Sequence, residues 1–195
     1  MIKKIIFYLI VCFLATNFLY GKNIKTSKSI SQVKRMKLVI EDSFKVNKEF
    51  RKTEYSLKFI IPDIIKKEII LPELNKGEIY VYNKGKKMTY LPMFNQKKIE
   101  NITTGENTII EVINYIFDME KKDKNFKTEY YARRVNGIKL GERTVIVFKK
   151  FNLYDGYLFP EIMSINEDGQ HVGDIKISKI EINPNLNLKE FQVEE

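Results

Sequence analysis

The sequence predicts a single α+β domain, mainly β, built as an antiparallel meander with one broad helix laid against it. Three observations carry this. Tyr55, Leu57, Phe59 and Ile61 alternate with Glu54, Ser56 and Lys58, the period-two pattern of a strand with one buried face. The segments that follow Pro62 and Pro72, Lys66 to Leu71, Glu78 to Asn83 and Met88 to Phe94, are rich in β-branched or aromatic residues, as neighbouring strands are. Between two strand-rich halves lies one segment, Gly105 to Asn125, with a helical apolar stripe.

Composition agrees with one ordinary globular core: 195 residues, 44% hydrophobic and 30% charged, with only 9 Gly and 5 Pro. At the N-terminus, Lys3 and Lys4 precede an uncharged apolar block from Ile5 to Tyr20 that meets Gly21 just before Lys22. This is the pattern of a signal peptide, with cleavage expected after Gly21, because the block is shorter than the roughly 20 residues that cross a bilayer. Residues 1–21 are therefore read as a leader and 22–195 as one domain. A lipid-anchoring role for Cys12 fails, since bulky Val11 precedes it and the apolar block runs past it. The only cysteine leaves with the leader, so the remaining chain has no disulfide and no thiolate metal site.

The formal net charge is +9, but the basic doublets, such as Lys66/Lys67, Lys97/Lys98 and Lys149/Lys150, are scattered along the chain. Scattering favours solvated strand ends over a nucleic-acid surface, and export points the same way. Attraction to an anionic membrane remains open.

Along the chain, Ser29 or Ser31 is expected to cap a short helix over Ile30, Val33 and Met36 or Lys37, before Lys37 to Glu41 becomes extended. Phe44, Val46 and Phe50 lead into the Thr53 strand without a breaker, which predicts consecutive antiparallel strands. In the central helix, Thr108 and Glu111 read as a capping box. Ile109, Ile113, Ile116 and Phe117 form its stripe, which Ile110, Val112 and Met119 widen. Such a helix needs a large apolar surface to lie on. The second half is read as strands at Lys127 to Val135, Ile138 to Phe151 after a tight Asn136-Gly137 turn, Phe159 to Asn166, and Val172 to Asn183 after an Asp168-Gly169 turn. In the last strand Ile175 and Ile177 are in one phase and Ile180 and Ile182 in the other, which predicts a bulge near Ser178 and Lys179.

Catalytic groups are not found. The one histidine, His171, falls in a polar turn and cannot build a multi-histidine metal site. No nucleophile elbow, phosphate loop or calcium loop occurs, and Glu41-Asp42 and Glu194-Glu195 are sequence neighbours that diverge on a strand. An exported sheet with a wide apolar helix and no catalytic set reads as a binder rather than an enzyme, with no cofactor and no metal.

The stretch from Thr53 to Gln96 resembles the outer-membrane lipoprotein carrier family (LolA-like). The matching features are Pro62 with Lys66, then Pro72, Gly85, Tyr90-Leu91-Pro92 and Gln96. Phe159-Pro160-Glu161, Asp168-Gly169, Ile180-Glu181-Ile182-Asn183 and Phe191 extend it toward the C-terminus. The resemblance implies an incomplete, strongly curved antiparallel β-barrel whose concave apolar face is covered by helices and takes lipoprotein acyl chains. It also implies a monomeric periplasmic carrier that works between an inner-membrane release complex and an outer-membrane acceptor, without nucleic acid. The expected cavity residues are Tyr55, Leu57, Phe59, Ile61, Tyr80, Tyr82 and Tyr90 on strands and Ile109, Ile113, Ile116 and Phe117 on the cover. The facing of Tyr80 and Tyr82 stays open, because Ile79 and Val81 make the other face equally apolar. At the position of the family's lid-contacting arginine stands Lys66, which lacks a planar fork of donors, so another lipid is an alternative cargo. An envelope sensor or interaction module using the same fold is the alternative function.

Overall fold

A computed structural model describes residues 27–102 and 107–192, so the expected leader and its cleavage site lie outside the described residues. The strands are β1 (Arg35–Val46), β2 (Glu49–Ile60), β3 (Ile64–Leu71), β4 (Ile79–Asn83), β5 (Lys86–Leu91) and β6 (Gln96–Asn101), followed after two helices by β7 (Gly137–Leu140), β8 (Thr144–Tyr154), β9 (Tyr157–Glu167) and β10 (Gln170–Ile182). The helices are α1 (Thr108–Lys122) and α2 (Lys124–Tyr131).

The sheet runs β6-β5-β4-β3-β2-β1-β10-β9-β8-β7, ten strands that do not close on themselves. Two meanders, β1 to β6 and β7 to β10, are welded where β1 pairs antiparallel with β10. The result is an incomplete antiparallel barrel with α1 and α2 inserted between its two edge strands. Both edges are defended against stray pairing: β6 carries Lys97 and Lys98, and β7 is only 4 residues long.

Register makes the inner face. Met36, Leu38 and Ile40 of β1 stand opposite Phe59, Leu57 and Tyr55 of β2, and all six are buried. On the other side Met36, Leu38 and Ile40 oppose Ile182, Ile180 and Ile177. The two phases of β10 meet this face because Ser178 is an extra residue between Ile177 and Lys179, the expected bulge, and its hydroxyl donates to the Val39 carbonyl at 3.1 Å.

Four sequence expectations change. The helix expected from Ser29 is one 3-10 turn, Ile30–Gln32, and β1 starts at Arg35. At α1 the N-cap is Asn107 rather than Thr108, and no side chain caps it. Lys127 to Val135, expected as a strand, is instead mostly the helix α2. Asp123 caps that helix by accepting from the Asn125 and Phe126 N–H groups, and Phe126 stacks on fully buried Tyr130. Asn136-Gly137 is not a hairpin turn: Gly137 opens β7 opposite Val147, and the true turn lies between Leu140 and Thr144.

Glycine is required at 137 because a Cβ there would lie 2.2 Å from the Ile146 carbonyl oxygen. Gly137→Ala is therefore expected to lower stability by roughly 1 to 3 kcal/mol, read as a lower urea midpoint; an unchanged midpoint would show that β7 shifts freely.

Candidate functional site

The candidate site is the contact between α1 and the inner face of the sheet. Tyr55, Leu57 and Phe59 form its floor on β2, exposed by no more than 2%. Ile61 lies just beyond the end of β2, half-buried against the same core. The facing of β4 is settled by pairing: Tyr82 opposes Ile65 and Tyr80 opposes Lys67, so both tyrosines join the inner face. Tyr82 is buried, whereas Tyr80 is half-buried and its hydroxyl donates to Glu78 at 2.6 Å.

Two expected residues are elsewhere. Tyr90 pairs with Ile79, which pairs with Glu68, and this places it on the opposite face, its hydroxyl against Asn95 Oδ1 at 3.3 Å. Lys66 also points away from α1, because it opposes Lys58 on the outer face. Its Nζ donates to the Gln192 carbonyl at 3.0 Å, while Lys58 pairs with Glu190 at 2.8 Å. These lysines hold the C-terminal 3-10 turn, Leu188–Phe191, on the back of the sheet.

The apolar face of α1 closes the front. Ile109, Val112, Ile113, Ile116 and Phe117 are at most 4% exposed, and Ile110 is 8% exposed. Phe117 meets Phe159 of β9 with ring centroids 6.5 Å apart. The inner face is thus filled by the helix over most of its length, a covered arrangement.

Glu120, at the far end of α1, is 4% exposed and fully engaged. Its carboxylate accepts from the Ser29 hydroxyl, from the Ser31 N–H at 3.1 Å and from the Tyr131 hydroxyl at 2.9 Å, and pairs with Lys127 at 3.3 Å. Burial opposes its charge, but the Ser29, Tyr131 and Lys127 contacts outweigh burial and hold the carboxyl below its ordinary value. Tyr131 in turn accepts from the Ile30 N–H at 2.8 Å, so the chain entering β1 is tied to both helices.

At the other end of α1 the filling stops. A cleft of about 360 Å3 lies between Asn107, Thr108 and Ile109 at the start of α1 and Asp42, Phe44, Thr53, Tyr55, Lys67, Glu167 and Ile175 of the sheet. A second, of about 240 Å3, lies beside it between Asn107, Ile110 and Asn114 on one side and Pro62 of the β2–β3 turn with the sheet residues Ile65 and Tyr82 on the other. Polar groups gather in the first. Lys67 Nζ sits 3.9 Å from the centroid of the Tyr55 ring, a close cation–π contact. Burial pushes the Asp42 carboxyl above its ordinary value, against the pull of Lys67 and of the Tyr55 and Thr53 hydroxyls beside it. Burial likewise pushes the Lys67 amine down, against the attraction of Asp42. Asn107 is 8% exposed, and its Nδ2 is buried without a hydrogen-bond partner among the described residues.

Sequence reasoning passed over Asp42, Lys67 and Asn107. The usable signal was alternation: with Ile65 and Ile69 facing in, Lys67 faces in and Lys66 out.

No group of acidic, histidine or cysteine side chains among the described residues could hold a metal ion, and no described helix is long and apolar enough to cross a membrane. The sequence matches no family model and no curated protein. Solved structures do match in shape. A crystal structure from Vibrio parahaemolyticus, described as an outer membrane lipoprotein-sorting protein domain, aligns with TM-score 0.60 at 15% identity over 80% of this chain and 88% of that one. A DUF1329 family protein from Desulfovibrio piger aligns with TM-score 0.59 at 8% identity, covering 84% and 91%. A LolA superfamily protein from Nitrosomonas europaea aligns with TM-score 0.54 at 8% identity, covering 87% and 94%. With its open antiparallel barrel and inserted cover helices, the chain has a LolA-like fold.

Proposed function

We propose that this protein is an exported, non-enzymatic carrier that takes lipoprotein acyl chains between α1 and the inner face of the sheet. It would shield them across the periplasm between an inner-membrane release complex and an outer-membrane acceptor. The observation that carries this reading is the almost wholly buried stripe Ile109, Ile113, Ile116 and Phe117 lying on an open sheet to which α1 contributes no strand. A helix held by side-chain contacts can leave without breaking the sheet's backbone ladder. Tyr55, Leu57, Phe59, Tyr80 and Tyr82 would then meet a ligand in its place. Each buried methylene is worth about 0.8 kcal/mol, so one long acyl chain supplies on the order of 10 kcal/mol to offset loss of the helix contacts. The solved structures similar in shape include one described as lipoprotein-sorting, which supports the cargo class.

The test is solubilisation. Purified protein mixed with a membrane-anchored, triacylated lipoprotein is expected to hold it in solution as a one-to-one complex after detergent removal. Native protein is expected to yield acyl species on solvent extraction. Aggregation of the lipoprotein together with an empty extract would reject the carrier reading.

A further inference from the structure

The cleft at the start of α1 is polar where a plain acyl tunnel needs no polarity. Asp42 and Lys67 bring opposite charges to the same inner face, both pressed by burial, yet the wider space between them and α1 stays unfilled. Phe44, Ile109 and Ile175 supply its apolar walls. On the helix side, Asn107 Nδ2 is a buried donor without an acceptor among the described residues, a condition rare enough in folded proteins to need a cause. The cleft thus offers two donors, an amine and an amide, and two carboxylates, Asp42 on the floor and the exposed Glu167 at the rim, beside an apolar route under α1.

A group that satisfies both sides must carry a donor and an acceptor next to each other at the end of an alkyl chain. A free carboxylate brings a further negative charge to a cleft that already holds Asp42 and Glu167, and is repelled. An ester offers an acceptor for Lys67 but no hydrogen for Asp42. A secondary amide offers both. Resting on the carrier reading above, we propose that this cleft seats the amide joining an acyl chain to an amine, its N–H donating to Asp42 and its carbonyl accepting from Lys67 and Asn107. The site then selects N-acylated cargo by its linkage, while the apolar face under α1 holds the chain.

The experiment uses three ligands of equal chain length, N-methyldodecanamide, methyl dodecanoate and dodecanoate, in displacement of a fluorescent acyl probe from the full-length protein. The amide is expected to bind at least about tenfold more tightly than the ester, the effect of one hydrogen bond to a charged group, and the carboxylate most weakly. Asp42→Val is expected to abolish the amide-over-ester preference and to strengthen dodecanoate. Lys67→Met is expected to weaken amide and ester together and to leave their ratio standing. Equal binding of all three ligands to the unaltered protein, or a preference that survives Asp42→Val, overturns the amide site and leaves acyl binding intact. If the acyl probe itself does not bind, the carrier reading fails and the amide site fails with it; if the probe binds and none of the three ligands displaces it, the amide site alone is overturned.

Discussion

Glu120→Ala is expected to lower the unfolding free energy by about 3 kcal/mol, because it leaves the Ser29 hydroxyl, the Ser31 N–H and the Tyr131 hydroxyl without their buried acceptor. Glu120→Gln keeps one accepting oxygen and should recover part of the loss. The same carboxylate sets an acid limit. Its pKa in the folded state lies below the ordinary value of 4.5, so the folded state prefers the charged form more than the unfolded chain does. The contribution is therefore complete above about pH 4.5 and is lost as pH falls further, through the folded value. Urea titrations at neutral pH and at decreasing acidic pH measure both effects. If the alanine variant unfolds at the same midpoint, or loses stability with acid as steeply as the unaltered protein, Glu120 is not the clasp described above.

Phe117→Ala is expected to act in opposite directions on stability and on binding. The ring is 4% exposed against Phe159, itself 1% exposed, and its removal should cost about 3 to 5 kcal/mol. Part of that cost falls on the docking of α1, and on the carrier reading proposed above α1 would compete with an acyl ligand for the inner face. A ligand gains whatever the covered state loses relative to the open one, about tenfold in affinity for each 1.4 kcal/mol. The variant should therefore unfold earlier yet bind a fluorescent acyl probe more tightly. Weaker binding in step with weaker folding would mean that the helix is permanent core and does not move aside for ligand.

What could be read in the sequence follows from where the chain's own neighbours decide the structure. Tyr55, Leu57 and Phe59 alternate cleanly, so their common face was legible. The bulge at Ser178 was legible because two isoleucine pairs fall out of phase within one strand. In Ile64–Leu71, by contrast, apolar residues stand on both faces, and only pairing to β2 separates Lys67, inside, from Lys66, outside. Tyr90 went to the wrong face for the same reason, since its partner Ile79 is apolar too. The helix α2 was missed because Thr128 to Arg134 carries aromatic and β-branched residues that suit a strand. Its helical state depends on the Asp123 cap and on burying Tyr130, whose hydroxyl reaches the Leu158 carbonyl at 2.9 Å, and both are tertiary facts. Strand β6, Gln96–Asn101, has almost no apolar pattern and exists as a partner for β5. The polar cleft was invisible for a further reason: Asp42, Lys67 and Asn107 are distant in sequence and meet only through the sheet register and the placement of α1.

The two helices also lie, in chain order, between β6 and β7, the outermost strands of the ten. They lie across the open barrel as a string lies across a bow. On the carrier reading proposed above, a cargo that displaced α1 would act on the two rims through the same stretch of chain, and a partner bound at either rim would act on the cover from outside.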